Sequence, residues 1–242
     1  MTGRLEGRRA LVTGASRGIG AAIARRLAAD GARVIVHYGA SADAARALAA
    51  EIGGVAVQAD LALPDGPGAL AGAVEGPLDI LVHNAGVAVF EMWGGFTAEG
   101  FDRMVAVNLR APLFLTQALA AKLADHGSVV FISSLVAQRS SFGGMFAAYA
   151  ATKGGVEAVS LHLAGALAAR NIRVNTIAPG AVETDMASFL GSEEGRAMTM
   201  ASQAFKRIAQ PDDIAGAVAW LAGEDARWVT GQVISVNGGA RI

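Results

Sequence analysis

Tyr149 and Lys153 stand four residues apart in Tyr149-Ala150-Ala151-Thr152-Lys153. In a helix that spacing puts the phenol and the ammonium on one face. A phenol titrates near ~10, and a fixed ammonium beside it favours the phenolate and lowers that value. Such a pair can give a proton to a carbonyl oxygen or take one from an alcohol. Ser133 and Ser134 end an apolar run upstream, and a serine hydroxyl would hold the same oxygen and stabilise charge developing on it. Tyr and Lys at this spacing also commonly share a helix surface with no chemistry at all, so their setting decides.

A second constellation supplies that setting. Thr13-Gly14-Ala15-Ser16-Arg17-Gly18-Ile19-Gly20 follows the first strand-like run and opens the first helix. Glycines there let the backbone turn tightly and approach a pyrophosphate, and a helix N-terminus offers N–H groups and partial positive charge to phosphate. That is the binding end of a nicotinamide dinucleotide, from which a hydride would move as the tyrosine moves its proton. A carboxylate ending the second strand would read the ribose 2′-OH, whereas a basic group accommodates a 2′-phosphate. Here the chain runs Val36-His37-Tyr38-Gly39-Ala40-Ser41 with no acid before Asp43, while Arg17 sits in the glycine loop and Ser41 offers a hydroxyl. NADP(H) is therefore expected over NAD(H). His37, a lone histidine at a strand end, reads as a passive surface group. Asp60, followed by Leu61, is placed to accept from the adenine amino group, or else to serve as a turn or N-cap aspartate. Asn84, Ala85 and Gly86 would let the backbone pass close to the adenine ribose, or form a simple turn.

These residues need a scaffold. Short Val/Ile/Leu runs at 9–13, 33–37, 55–58, 80–83, 128–133, 173–177 and 232–236 alternate with alanine-rich helix candidates at about 18–30, 41–52, 66–75, 97–123, 147–170 and 211–222. Strands apolar on both faces and separated by helices predict a doubly wound parallel sheet in a three-layer α/β/α domain. No linker or repeat divides the 242 residues, so one domain over 1–242 is expected, with the irregular stretch 184–210 as a substrate lid. Apolar residues make up 53% and formal net charge is −1, which exclude a disordered chain and give no basic stripe for nucleic acid. The absence of cysteine removes disulfides and thiol chemistry, and His37, His83, His126 and His162 are too scattered for a metal site. No apolar run is long enough to span a membrane, and no leader-like segment precedes the first strand, so a cytoplasmic protein is expected.

Taken in order, TGASRGIG, HNAG, VNLR, ISS, YAATK, PGAVETDM and VTGQVISVNGG resemble the short-chain dehydrogenase/reductase family over nearly the whole chain. The resemblance implies a Rossmann-like fold and a tetrad of Asn108, Ser134, Tyr149 and Lys153. Asn108 would anchor a helix kink and a water linking Lys153 to a proton relay, and Lys153 would hold the nicotinamide ribose. Pro179, Gly180, Val182 and Thr184 match the segment that contacts the nicotinamide. The resemblance also implies a homotetramer formed through alanine-rich helices. Two departures stand out: His83 replaces a usual asparagine, and the segment 135–148 is about two residues longer than is common. That length leaves Ser133 beside Ser134 as the oxygen-holding hydroxyl, with Ser140 and Ser141 as further candidates.

The expected activity is reduction of a ketone or 3-oxoacyl-type carbonyl, or oxidation of the matching secondary alcohol. The rival is a protein of the same fold that binds NADP(H) without turnover. Phe90, Met92, Trp93, Phe142, Met145, Phe146, Met186, Phe189, Met198 and Met200 would line an adaptable apolar substrate pocket, or else belong to the core.

Overall fold

The computed structural model describes residues 4–139 and 144–240. Strands β1 (Arg9–Val12), β2 (Arg33–Tyr38), β3 (Val55–Gln58), β4 (Leu78–His83), β5 (Leu123–Ile132), β6 (Arg173–Pro179) and β7 (Val233–Val236) form one sheet in the order β3-β2-β1-β4-β5-β6-β7. Every pairing is parallel. Helices α1 (Gly18–Ala29), α2 (Ala42–Glu51), α3 (Gly66–Ala73), α4 (Ala98–Met104), α5 (Ala111–Leu119), α6 (Ala147–Leu167), α7 (Glu193–Ser202) and α8 (Pro211–Ala222) lie between the strands.

Alternate strand residues point to opposite faces, and this sequence fills both with apolar side chains. Ala10, Val12, Val34, Val36, Ile80 and Val82 join Ile23 and Leu27 of α1 and Ile214 and Val218 of α8 in one core. Leu11, Ile35, Leu81, Val129 and Phe131 join Leu70 of α3, Leu115 of α5 and Val156 of α6 in the other. Burial on both faces is why the strands read as continuous apolar runs. The expected doubly wound, single-domain α/β fold is what the chain forms.

Strand order reverses at β1, where Ala10 pairs with Val34 on one side and Ile80 on the other. Loops leaving the carboxyl ends of β1 and β4 diverge there and open the crevice in which such folds bind ligands. Both the glycine loop and Asn84-Ala85-Gly86 border it.

Three local expectations need correction. The single helix expected over 97–123 is interrupted by a π-helical turn, Val105–Arg110, between α4 and α5. Pro112 has no N–H to offer the Asn108 carbonyl four residues earlier, and the Ala111 N–H bonds Ala106 O, five residues back. Leu123, expected to be helical, opens β5 and pairs with Leu78. β5 therefore begins five residues before the expected 128, through a register break opposite Leu78–Ile80 and a left-handed backbone at His126 (φ 63°). The polar Asp125-His126-Gly127 interrupts the apolar run and conceals that continuity.

The stretch 184–210 contains a 3₁₀ segment, Asp185–Gly191, and then α7. The Ser192 hydroxyl caps α7 by accepting the Gly195 N–H at 3.1 Å. Among the described residues no helix is long and apolar enough to cross a membrane.

Candidate active site

The glycine loop is held by hydrogen bonds to the turn after β4. Thr13 Oγ1 accepts the N–H groups of Asn84 and Ala85, each at 3.0 Å. The Asn84 amide donates to the carbonyls of Thr13 at 2.9 Å and Gly14 at 3.1 Å. Only glycine fits at two points of this contact. A Cβ on Gly14 (φ 62°) would stand 2.8 Å from the Ala85 Cα, and one on Gly20 would stand 2.4 Å from both the Asn84 amide nitrogen and Gly14 O.

A dinucleotide suits this cradle. No side chain caps the first turn of α1 and no acid lies in it, so its positive end is left for an anion. Gly18 lies against Thr184, and Arg17 ion-pairs with Asp185 at 3.5 Å, which brings the start of the 184–210 stretch to the loop.

Other residues expected at the cofactor divide by burial. The side chains of Tyr38 and Val182 pack in one core and that of Leu61 in the other. Val182 is bridged to Ala209, and Gly180 packs against Asn237 at the end of buried Pro179. Ser41 precedes α2 without capping it. Asp60 is exposed, but one carboxylate oxygen accepts the Ala62 N–H at 2.9 Å, so the turn role is real.

One of two buried histidines departs from expectation. His37 is a buried residue, not a surface group: its Nδ1 accepts the Gly14 N–H and its Nε2 faces Ala59 O, both at 3.1 Å. Burial lowers it to about 4. His83 is stacked on Phe131 with centroids 4.5 Å apart, and its Nε2 bonds Thr116 Oγ1 at 2.7 Å. It packs in the interior.

Asn108 lies in the π-helical turn, buried, and clamps one residue from both sides. Its Oδ1 accepts the Val87 N–H and its Nδ2 donates to Val87 O, each at 2.8 Å. Nδ2 also donates to Thr152 Oγ1 at 3.1 Å, on the helix that carries Tyr149 and Lys153. The kink anchor and the α6 pair are thereby one connected unit.

Tyr149 and Lys153 share a face of α6 as the spacing implied, with Nζ 5.7 Å from the phenol ring centroid. The net shift of the phenol is upward, against the lowering expected from this ammonium. Burial pushes Tyr149 above its ordinary value, and only its hydrogen bond with Ser134 opposes the rise. The ammonium instead donates to Ile132 O at 2.8 Å, and burial brings Lys153 down to about 8.

The two serines are told apart by their partners. Ser133 Oγ is committed to Lys153 O at 3.2 Å and to Glu157 at 2.8 Å, whereas Ser134 Oγ accepts the Val136 N–H at 3.4 Å and lies beside the Tyr149 phenol. Ser140, Ser141 and Phe142 lie outside the described residues. Ser134→Ala is expected to lower kcat about a hundredfold, as for loss of one oxyanion donor. Ser133→Ala is expected to lower stability by about 1 kcal/mol with far less effect on rate, as measured by urea unfolding and steady-state assay.

Beside the phenol, Phe90 meets Phe146 edge-on at 5.1 Å and Tyr149 edge-on at 5.9 Å. Met92, Trp93, Met186, Phe189 and Met198 are exposed, so core packing does not account for them. Met145 and Met200 are half-buried.

A family model described as enoyl-(acyl carrier protein) reductase matches residues 14–241. An uncharacterized oxidoreductase of Methylorubrum extorquens is 45% identical over 98% of this chain and 99% of its own length. The cyclic-di-GMP-binding biofilm dispersal mediator protein of Escherichia coli is 40% identical over 98% of each chain. The structure of the angucycline C-6 ketoreductase LanV with bound NADP matches with a TM-score of 0.92 and 40% identity, over 99% of this chain and 97% of that one. The protein belongs to the short-chain dehydrogenase/reductase family and is an NAD(P)-dependent oxidoreductase.

Proposed function

We propose that this enzyme reduces ketones with NADPH, and that its substrates carry the ketone on or beside a planar ring. The observation that carries the reading is the buried Tyr149 phenol and Lys153 ammonium sharing one face of α6, with Nζ 5.7 Å from the ring centroid and Ser134 beside the phenol. Two hydroxyls converging on one point suit a single carbonyl oxygen. Phe90 and Phe146 give the site a wall of aromatic edges and faces on which a ring would stack. LanV, by name a ketoreductase, supports the carbonyl over the carbon–carbon double bond suggested by the family model's description.

NADPH, when bound, supplies the hydride. Beyond the Gly14 turn, the backbone of Ser16, Gly18, Ile19 and Gly20 would meet its pyrophosphate, Arg17 and Ser41 its 2′-phosphate, and Asp60 its adenine. The backbones of Asn84, Ala85 and Gly86 would border the adenine ribose, and Pro179, Gly180, Val182 and Thr184 the nicotinamide. Ser134 orients the carbonyl oxygen. Tyr149, held protonated by burial, gives that oxygen its proton as negative charge develops there. Lys153 then stabilises the phenolate left behind, holds the nicotinamide ribose and, with Asn108, leads to the proton's replacement. The stretch 184–210 closes over the substrate with Met186, Phe189 and Met198. Exposed Phe114 on α5 and Leu161 on α6 suit pairing with further copies in a tetramer.

Arg17→Ala is expected to weaken NADPH about tenfold or more, the worth of a charge-assisted hydrogen bond, while NADH changes little. Equal losses in the two titrations would remove the basis for the cofactor preference.

The Escherichia coli relative's name, which states binding rather than turnover, favours a second reading as a ligand-binding protein. A panel of ring ketones, 3-oxoacyl thioesters and enoyl thioesters, followed by NADPH absorbance, decides between them. Turnover of ring ketones is the expected outcome. Tight NADPH binding with no turnover of any carbonyl would favour the second reading.

A further inference from the structure

We propose that His37 is a positioning residue of the cofactor site, whose imidazole fixes the glycine loop and the end of β3 to one another. Its two ring nitrogens do opposite work. Gly14 presents an N–H, so Nδ1 must accept, and Ala59 presents a carbonyl, so Nε2 must donate; both contacts measure 3.1 Å. Only the neutral imidazole protonated on Nε2 can do both. Burial of His37 to 2% exposure favours that neutral form over the cation.

The backbone of the same residue adds a third tie, since His37 O accepts the Ala15 N–H at 2.9 Å. The two ends of the bridge are the two walls of the adenosine half of the site. Gly14 is the first bend of the phosphate loop. Ala59 immediately precedes Asp60, the residue expected at the adenine. The 3.1 Å bond to His37 occupies the Gly14 N–H, which leaves the N–H groups at the α1 end of the loop for phosphate. Asn84 holds the same peptide through Thr13 O at 2.9 Å, and the next one through Gly14 O at 3.1 Å. The loop is thus clamped from both flanks, by an amide on one and an imidazole on the other.

This inference rests on the NADPH reading above, and the test separates the two. An asparagine side chain places its amide near the position of Nδ1, and a glutamine places its amide near Nε2. His37→Asn therefore keeps the acceptor for Gly14, and His37→Gln keeps the donor for Ala59. Each is titrated with NADPH by fluorescence, and each is assayed for KM and kcat.

The Asn variant is expected to bind NADPH within about twofold of wild type, and the Gln variant about tenfold more weakly, which is about 1.4 kcal/mol. The loss should appear in KM for NADPH rather than in kcat. His37→Asn losing as much as His37→Gln, or His37→Gln binding like wild type, would overturn the proposed role. Wild-type protein that does not bind NADPH at all would instead overturn the cofactor reading.

Discussion

Tyr149→Phe is expected to abolish ketone reduction, with kcat down about a thousandfold, while NADPH binds within about twofold of wild type. The loss follows from the proton alone, since general acid catalysis is worth about 10²–10⁴. The phenyl ring fills the same space, keeps its edge contact with Phe90 and leaves the ring near the Lys153 ammonium. Packing therefore changes little, and a fall in thermal stability would not account for a thousandfold change. Burial that raises Tyr149 keeps the phenol protonated throughout the neutral range, so its own titration should not appear there. Comparable activity in the variant would remove the acid role.

Lys153→Met is expected to have the next largest effect, a loss of about a hundredfold or more in kcat together with weaker NADPH binding. The ammonium is buried and donates to Ile132 O, so the variant also leaves that carbonyl without its donor. The pH dependence separates the charge from the contact. Burial puts Lys153 at about 8, so it is charged below that pH and neutral above it. In the wild type, kcat/KM for ketone reduction should fall as pH rises through about 8, because this ratio reports groups of the free enzyme. The variant should lack that limb. A fall at the same pH in Lys153→Met would assign the limb to another group.

The parts of this protein that were legible in its sequence are those whose cause is local. Glycine at 14 and 20 is required by contacts with the loop after β4, and that requirement is visible as a motif. Strands β1, β2, β4 and β6 were legible because both of their faces are buried. Tyr149 and Lys153 read correctly because helical spacing alone brings them to one face.

What stayed hidden depends on distant residues. His37 looks like a surface group until β3 and the glycine loop close around it. The π-helical turn at Asn108 did have a local signal, Pro112 four residues on, lost inside a long alanine-rich run. The start of β5 was masked by Asp125-His126-Gly127, whose bulge shows only through pairing with β4. The direction of the Tyr149 shift could not be read from its spacing to Lys153, because burial and the turn of the ammonium toward Ile132 decide it. Ser133 and Ser134 are neighbours in sequence, and bonds from Ser133 to Lys153 O and Glu157 on α6 separate their roles.

The central claim is that Tyr149, Ser134 and Lys153 turn a ketone into an alcohol with NADPH. The most direct test is to supply NADPH carrying deuterium at the transferable nicotinamide position with a ring ketone, and to locate the label in the product. Deuterium on the carbinol carbon, formed by wild type and lost in Tyr149→Phe at equal NADPH occupancy, is the expected result. Label on a former alkene carbon, or no transfer to any ketone by protein saturated with NADPH, would contradict it.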